Sequence, residues 1–108
     1  MHYLLFYEVV DGYAEKREPF REQHLKYARQ AFERGELVLA GAVSTPTDAT
    51  TASVGDPALA EPLDGAVLVF RGPTPQFAEA FAKADPYVIN GLIKSWRVRK
   101  WMTVIPPQ

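Results

Sequence analysis

The sequence predicts an α+β fold in which a four-stranded antiparallel sheet carries two helices on one face. Three observations predict it. Short segments rich in β-branched and aromatic residues recur at 3–10, 36–44, 66–72 and 94–105. Stretches with helical periodicity follow the first and the third of them. The length of 108 residues suits one hydrophobic core and not two, so 1–108 reads as a single domain.

The first segment, YLLFYEVV at 3–10, lacks clean alternation of apolar and polar residues. That predicts a strand covered on both faces, closed by a turn at Asp11-Gly12. The strongest helical period runs over 17–35. Phe20, Leu25, Tyr27, Ala28, Ala31 and Phe32 fall on one arc, with Glu22, Lys26, Arg29, Gln30 and Glu33 opposite. Pro19 suits the first turn and Gly35 the position just past the end.

ELVLAGAVS at 36–44 reads as the second strand, with Gly41 marking a bulge or a place where a ligand or backbone comes close. The polar, proline-bearing stretch 45–65 reads as a hairpin arm or a functional flap. AVLVFRG at 66–72 is the third strand. Thr74 as N-cap and Pro75 at N1 then open a second helix, with Phe77, Ala78, Phe81 and Ala84 on its apolar face and Glu79 and Lys83 opposite. The last strand, 94–105, is stopped by Pro106-Pro107, and the five-residue spacing of Trp96 and Trp101 puts them on opposite faces.

The order is β-α-β-β-α-β, the split βαβ of ferredoxin-like domains. Both helices lie on one side of the sheet. Strands 1 and 3 are too apolar to leave the other side wet, and no further element remains to cover it. A homodimer is therefore expected, with two sheets packed face to face around a barrel-like core.

Composition narrows the function classes. Net charge is -1 and the 12 basic residues are scattered, which argues against nucleic acid and anionic membrane as partners. With no cysteine, disulfides, thiol nucleophiles and thiolate metal sites are excluded. Two histidines argue against a histidine-rich metal site, and no cofactor is expected. The N-terminal run MHYLLFYEVVDGY has no basic flank and meets an acid at Glu8, so it reads as neither signal peptide nor membrane span. A cytoplasmic protein is expected. Glycine-rich nucleotide loops, a nucleophile elbow and metal-spaced histidine pairs do not occur.

Two residues stand out for chemistry. With Phe20 at the origin of the helical wheel, His24 falls at about 40°, inside the apolar arc, with Arg17 at about 60° and Arg21 at about 100°. An imidazole there can act as general acid or base if a partner orients it. It can equally be a satisfied core histidine, with both arginines reaching past the helix start to solvent. On the second helix Asp85 falls at about 80° from Phe77, on the core side. A carboxylate there needs a donor, and the neighbouring helix offers His24 or an arginine. Asp85 before Pro86 is also a good N-cap for a short helix at 86–90. Both roles fit together, one oxygen capping and the other orienting the imidazole. Tyr87 reads as a lid or as packing, Asn90-Gly91 as a turn, and His2 as exposed.

The arginine-bearing first helix with His24-Leu25, the strand GELVLAG at 35–41 and the segment ADPYVINGL at 84–92 resemble the YciI-like, YCII-related family of the dimeric α/β-barrel superfamily. The resemblance covers nearly the whole chain, and its most specific part is Asp85-Pro86-Tyr87. It implies a ferredoxin-like protomer, a dimer, and a pocket between helices and sheet. It also implies a His–Asp dyad on His24 and Asp85, and an arginine at 17 or 21.

The reading that results is a cofactor-independent enzyme of lyase or isomerase type. Its substrate would be a small organic acid, a lactone or a hydroxylated aromatic, with Gly41 and Tyr87 beside it. The alternative is a non-catalytic ligand-binding or accessory dimer using the same pocket. A third, a monooxygenase of the superfamily, would need room for a planar substrate.

Overall fold

The computed structural model describes residues 1–45 and 63–107. Its elements run β1 (His2–Val9), α1 (Tyr13–Lys16), α2 (Glu18–Glu33), β2 (Leu37–Ser44), β3 (Leu63–Arg71), α3 (Gln76–Ala84), α4 (Pro86–Ile89) and β4 (Ile93–Trp101). The strands form one antiparallel sheet in the order β2-β3-β1-β4. This is the ferredoxin-like arrangement, with the first and third strands central. The expected connection at 45–65 is shorter than its composition suggested, because β3 begins at Leu63. Residues 46–62, where a flap was expected, lie outside the described residues.

Alternation along β1 decides what faces the helices. Tyr3, Leu5, Tyr7 and Val9 are buried, while the intervening His2, Leu4 and Phe6 are half-buried. Across the ladder the buried partners are Phe70, Leu68 and Ala66 of β3. Phe81 of α3 packs on Phe70 with ring centroids 5.2 Å apart, joining helix to sheet.

Both helices differ from their expected phase or ends. The 17–35 helix is preceded by the short turn α1, and Arg17 is the residue between the two, with φ -73 and ψ -20. Pro19 occupies the first turn of α2, where its missing N–H leaves no carbonyl unsatisfied. At the other end Gly35 has φ +79. Its N–H meets the Phe32 carbonyl at 3.0 Å and the Glu36 N–H meets that of Ala31 at 3.1 Å, a Schellman closure. Phe32, expected on the inward arc, is 60% exposed, because it sits at the edge of that arc in the last turn, above β2.

α3 starts at Gln76, one residue later than expected, with Pro75 at the N-cap. The Thr74 hydroxyl still accepts from the Gln76 N–H, at 3.3 Å. Its buried face is Ala78, Phe81 and Ala82. Phe77 is 40% exposed and Ala84 is exposed. The buried arc is therefore centred about 90° round from Phe77, which places Asp85 near its middle.

β2 begins at Leu37, with register shifts between Leu37 and Leu39 and between Val43 and Ser44, and none at Gly41. β4 ends at Trp101, four residues short of expectation. Trp96 lies opposite Tyr7, on the helix side, and Trp101 lies opposite His2 on the other side.

Among the described residues that other side carries no helix. The residues that follow β4 lie against part of it, enclosing an apolar hollow with His2, Leu39, Val69 and Trp101. His2, expected to be exposed, is half-buried there. Among the described residues no helix is long and apolar enough to cross a membrane.

Candidate active site

The sequence of the α3–α4 junction builds the centre of the site. Asp85 is extended (φ -65, ψ 127), because the residue before a proline is driven out of the helical region. The helix stops there and restarts on Pro86. Asp85 is fully buried, and three donors converge on its carboxylate. The Tyr87 N–H reaches Oδ1 at 3.0 Å, His24 Nδ1 reaches the same oxygen at 2.7 Å, and the Tyr7 hydroxyl donates to Oδ2 at 2.7 Å. The expected division, one oxygen for the cap and the other for the imidazole, is thus corrected: Oδ1 takes both, and Oδ2 belongs to Tyr7.

A carboxylate can only accept, so Nδ1 of His24 carries a proton in this contact, and in the neutral ring Nε2 then keeps its lone pair. The ring is also held from its face. Tyr87 stacks on it with centroids 3.8 Å apart and planes 7° from parallel. Tyr13 in turn meets Tyr87 edge-on at 5.8 Å, and the Arg17 guanidinium lies 5.5 Å from the Tyr13 ring centre. Tyr87, ambiguous in the sequence, is buried and fixes the imidazole plane.

A cavity of about 260 Å³ opens beside this group, between α2 and the β2–β3 half of the sheet. His24, Arg17, Arg21, Tyr87 and Gly41 all line it, together with Tyr7 and Tyr13. Arg17 is only 6% exposed, whereas Arg21 is half-buried. The choice between the two arginines therefore dissolves, since the pitch of α2 aims both at one space. Gly41 borders the cavity, and a Cβ there would have nothing within 4 Å.

Burial sets the acidity of the phenols. Tyr7 is pushed well above its ordinary 10.0, first by burial, then by the Asp85 charge and its hydrogen bond to that carboxylate. Tyr87 is raised chiefly by burial. Tyr13 is raised by burial, with the Arg17 guanidinium pulling the other way. These hydroxyls hold their protons at neutral pH, and that of Tyr7 is a fixed donor to Asp85. Among the described residues no three His, Asp or Glu side chains converge as a metal-ligand cluster.

Tyr7 and Tyr13 were not singled out from sequence. Period two along β1 does put Tyr7 on one face with Tyr3 and Leu5, and a buried phenol needs a hydrogen-bond partner. That much was legible; the identity of the partner was not.

A ferredoxin-like α+β fold with an arginine-lined cavity between its second helix and its sheet defines the class of protein. The chain belongs to the YCII-related domain family, whose model matches residues 1–102. Among solved structures, it is similar to 5-chloro-2-hydroxyhydroquinone dehydrochlorinase of Burkholderia phenoliruptrix in complex with 2,5-dihydroxybenzoquinone. That match has a TM-score of 0.71 at 19% identity, covering 94% of this chain and 93% of the other. Ribosomal protein S6 of Thermotoga maritima matches with TM-score 0.51 at 18% identity, over 97% of this chain and 91% of that one. A Nitrosomonas europaea protein assigned as an antibiotic biosynthesis monooxygenase matches at 0.50 and 15%, over 95% and 100%. At these identities the likeness is one of fold. No curated protein sequence matches the chain.

Proposed function

We propose that the protein is a cofactor-independent enzyme that moves a proton with a His24–Asp85 pair, in an elimination or isomerisation of a small organic acid, lactone or hydroxylated aromatic. The observation that carries this is the 2.7 Å contact between His24 Nδ1 and a fully buried carboxylate, at the wall of an open cavity that two arginines also line. Had packing sealed the pair, a structural role would be the better reading.

In this mechanism Nε2 takes a proton from the substrate. Asp85 holds the Nδ1 proton in place and stabilises the imidazolium that forms. Arg17 and Arg21 hold the oxyanion or carboxylate on which the electron pair settles. In an isomerisation His24 returns the proton to a second atom. In an elimination the pair re-forms a double bond as the leaving group departs with its bonding electrons, and His24 passes the proton to water. Positioned acid–base help of this kind is worth on the order of 10²–10⁴ in rate. A dehydrochlorinase of the same fold, solved with a dihydroxybenzoquinone, supports chemistry of this type. The ligand-binding alternative would retain the cavity but show no turnover.

The working unit in this proposal is a homodimer. Leu4 and Phe6 of β1, Val67 and Val69 of β3 and Leu39 of β2 share the sheet face opposite α2 and α3, and Leu39 is 69% exposed. A second copy packed there would cover them.

The test is His24→Ala. It is expected to leave the fold and the oligomeric state intact while removing turnover on any substrate found for the wild type. Full activity in that variant would overturn the mechanism. Light scattering that shows a stable monomer would overturn the dimer.

A further inference from the structure

Asp85 serves two side chains at once, and the second of them, Tyr7, has no part in the proton transfer described above. We infer that Tyr7 is a positioning residue that acts on His24 through Asp85: its hydroxyl draws on the same carboxylate charge as the imidazole, and so limits how firmly Asp85 holds the Nδ1 proton. This rests on the reading of His24 and Asp85 as the proton-moving pair.

The geometry is that of two strong donors on one anion. The Tyr7 hydroxyl meets Oδ2 at 2.7 Å, and His24 Nδ1 meets Oδ1 at 2.7 Å. Both lengths are those of hydrogen bonds to an ionised acceptor. The Tyr87 N–H stands further off, at 3.0 Å from Oδ1. The two oxygens of a carboxylate share one negative charge by resonance. A donor on Oδ2 therefore draws electron density from Oδ1, and each strong donor weakens the other. Asp85 is fully buried, so the competition is felt at low dielectric and is not levelled by solvent.

The competing donor is rigid. Tyr7 lies on the central strand β1, paired with Ala66 of β3 and with Trp96 of β4, and is buried. Burial and the Asp85 charge keep its phenol protonated, so Tyr7 gives a hydrogen bond and does not take a proton. The sheet thus supplies one donor and α2 the other, on different oxygens.

A residue that shuttles a proton must return it as well as take it. Without the Tyr7 donor, Asp85 would direct more of its charge to the imidazole, stabilise the imidazolium further and slow the return. Among the described residues, the other charged and titratable groups that face the pair are Tyr13 on α1, Arg17, Arg21 and Tyr27 on α2, and Tyr87 on α4. A change confined to the Tyr7 hydroxyl leaves all of them in place. Its effect on the imidazole then reports the shared carboxylate.

The experiment is proton–nitrogen correlation NMR of the His24 ring, recorded in the cold and without substrate, in the wild type and two variants. The Nδ1 proton is assigned by its loss in His24→Gln. Tyr7→Phe withdraws the competing donor, and the Nδ1 proton is expected to move downfield as its bond to Oδ1 strengthens. Tyr7→3-fluorotyrosine supplies a more acidic phenol and a stronger donor, and the proton is expected to move upfield. Circular dichroism checks that the variants are folded; if Tyr7→Phe does not fold, the fluorinated protein decides alone. A purely structural role gives the opposite sign, because Asp85 without its support would drift from His24. An upfield or vanished signal in folded Tyr7→Phe overturns the inference. So does an unmoved signal in either folded variant, or the lack of a protected Nδ1 proton in the wild type. Turnover enters none of these readouts. Full activity of His24→Ala would overturn the acid–base reading and leave the shared carboxylate standing, and an unmoved Nδ1 proton would do the reverse.

Discussion

The Tyr7 hydroxyl donates to Oδ2 of Asp85 at 2.7 Å, across 78 positions of sequence. It ties the first strand of the chain to the junction between the last two helices. Asp85 is 0% exposed, so each of its oxygens depends on donors supplied by the protein. Tyr7→Phe removes the Tyr7 donor to Oδ2 and adds no steric strain. It is expected to cost about 1–3 kcal/mol of unfolding free energy, measured by urea denaturation at neutral pH. A change within experimental error would mean that another donor takes its place.

The raised acidities of the buried phenols make a prediction with a definite sign. Tyr7 and Tyr87 titrate well above their ordinary 10.0 in the folded chain. Above pH 10 the unfolded chain has released protons that the folded chain still holds. Their contribution is thus fully present below that pH and is lost as pH rises beyond it. The slope is about 1.4 kcal/mol per pH unit for each such tyrosine. Urea midpoints measured at rising alkaline pH should fall, with tyrosinate absorbance appearing together with unfolding. Tyrosinate signal from Tyr7 in a still-folded protein would contradict the assignment.

Asp85→Asn keeps the shape of the side chain and withdraws its charge. The carboxamide can cap α4 or receive the Tyr7 hydroxyl through its oxygen, but cannot do both and also accept from His24 as a carboxylate does. Turnover, once a substrate is known, is expected to fall by about 10²–10⁴. Nitrogen-15 shifts of the His24 ring should report loss of the single tautomer in which Nδ1 carries the proton. An unchanged tautomer would show that the carboxamide oxygen at position 85 still accepts from Nδ1 and that the charge of Asp85 is not what sets it.

Gly35→Ala tests the end of α2. The residue sits at φ +79, and an added Cβ would meet nothing within 4 Å. The whole cost is therefore backbone strain, about 1–2 kcal/mol, read as a drop in unfolding free energy with no effect on ligand binding. A neutral result would mean that the helix end unwinds and closes in another way.

What could be read from the chain alone came from local periodicity and from residues with restricted backbones. The α2 period put Arg17, Arg21 and His24 on one side of a helix before any contact was known. Pro86 forced Asp85 out of the helical region, and Gly35 marked the end of α2; both are short-range constraints that act within a few residues. The ferredoxin-like order followed from the sequence of strands and helices and the rule for joining them. Helix ends and helix phase were less legible: Phe77 and Phe32 look like core residues by type, yet each lies at the edge of its buried arc.

Tertiary structure decided the rest. Period two says that Tyr7 shares a face with Tyr3 and Leu5, but not that this face meets the helices or that Tyr7 meets Asp85, because a partner 78 residues away is set by how α3 and α4 lie over the sheet. The same holds for the stack of Tyr87 on His24. It also holds for Oδ1 serving at once as helix cap and imidazole partner. Sequence offered His24 or an arginine as the partner of Asp85, and the family resemblance implied the His24–Asp85 pair. Only the packing of α2 against the α3–α4 junction brought them within 2.7 Å, at the wall of a cavity that the alanines of β2 and β3 leave open.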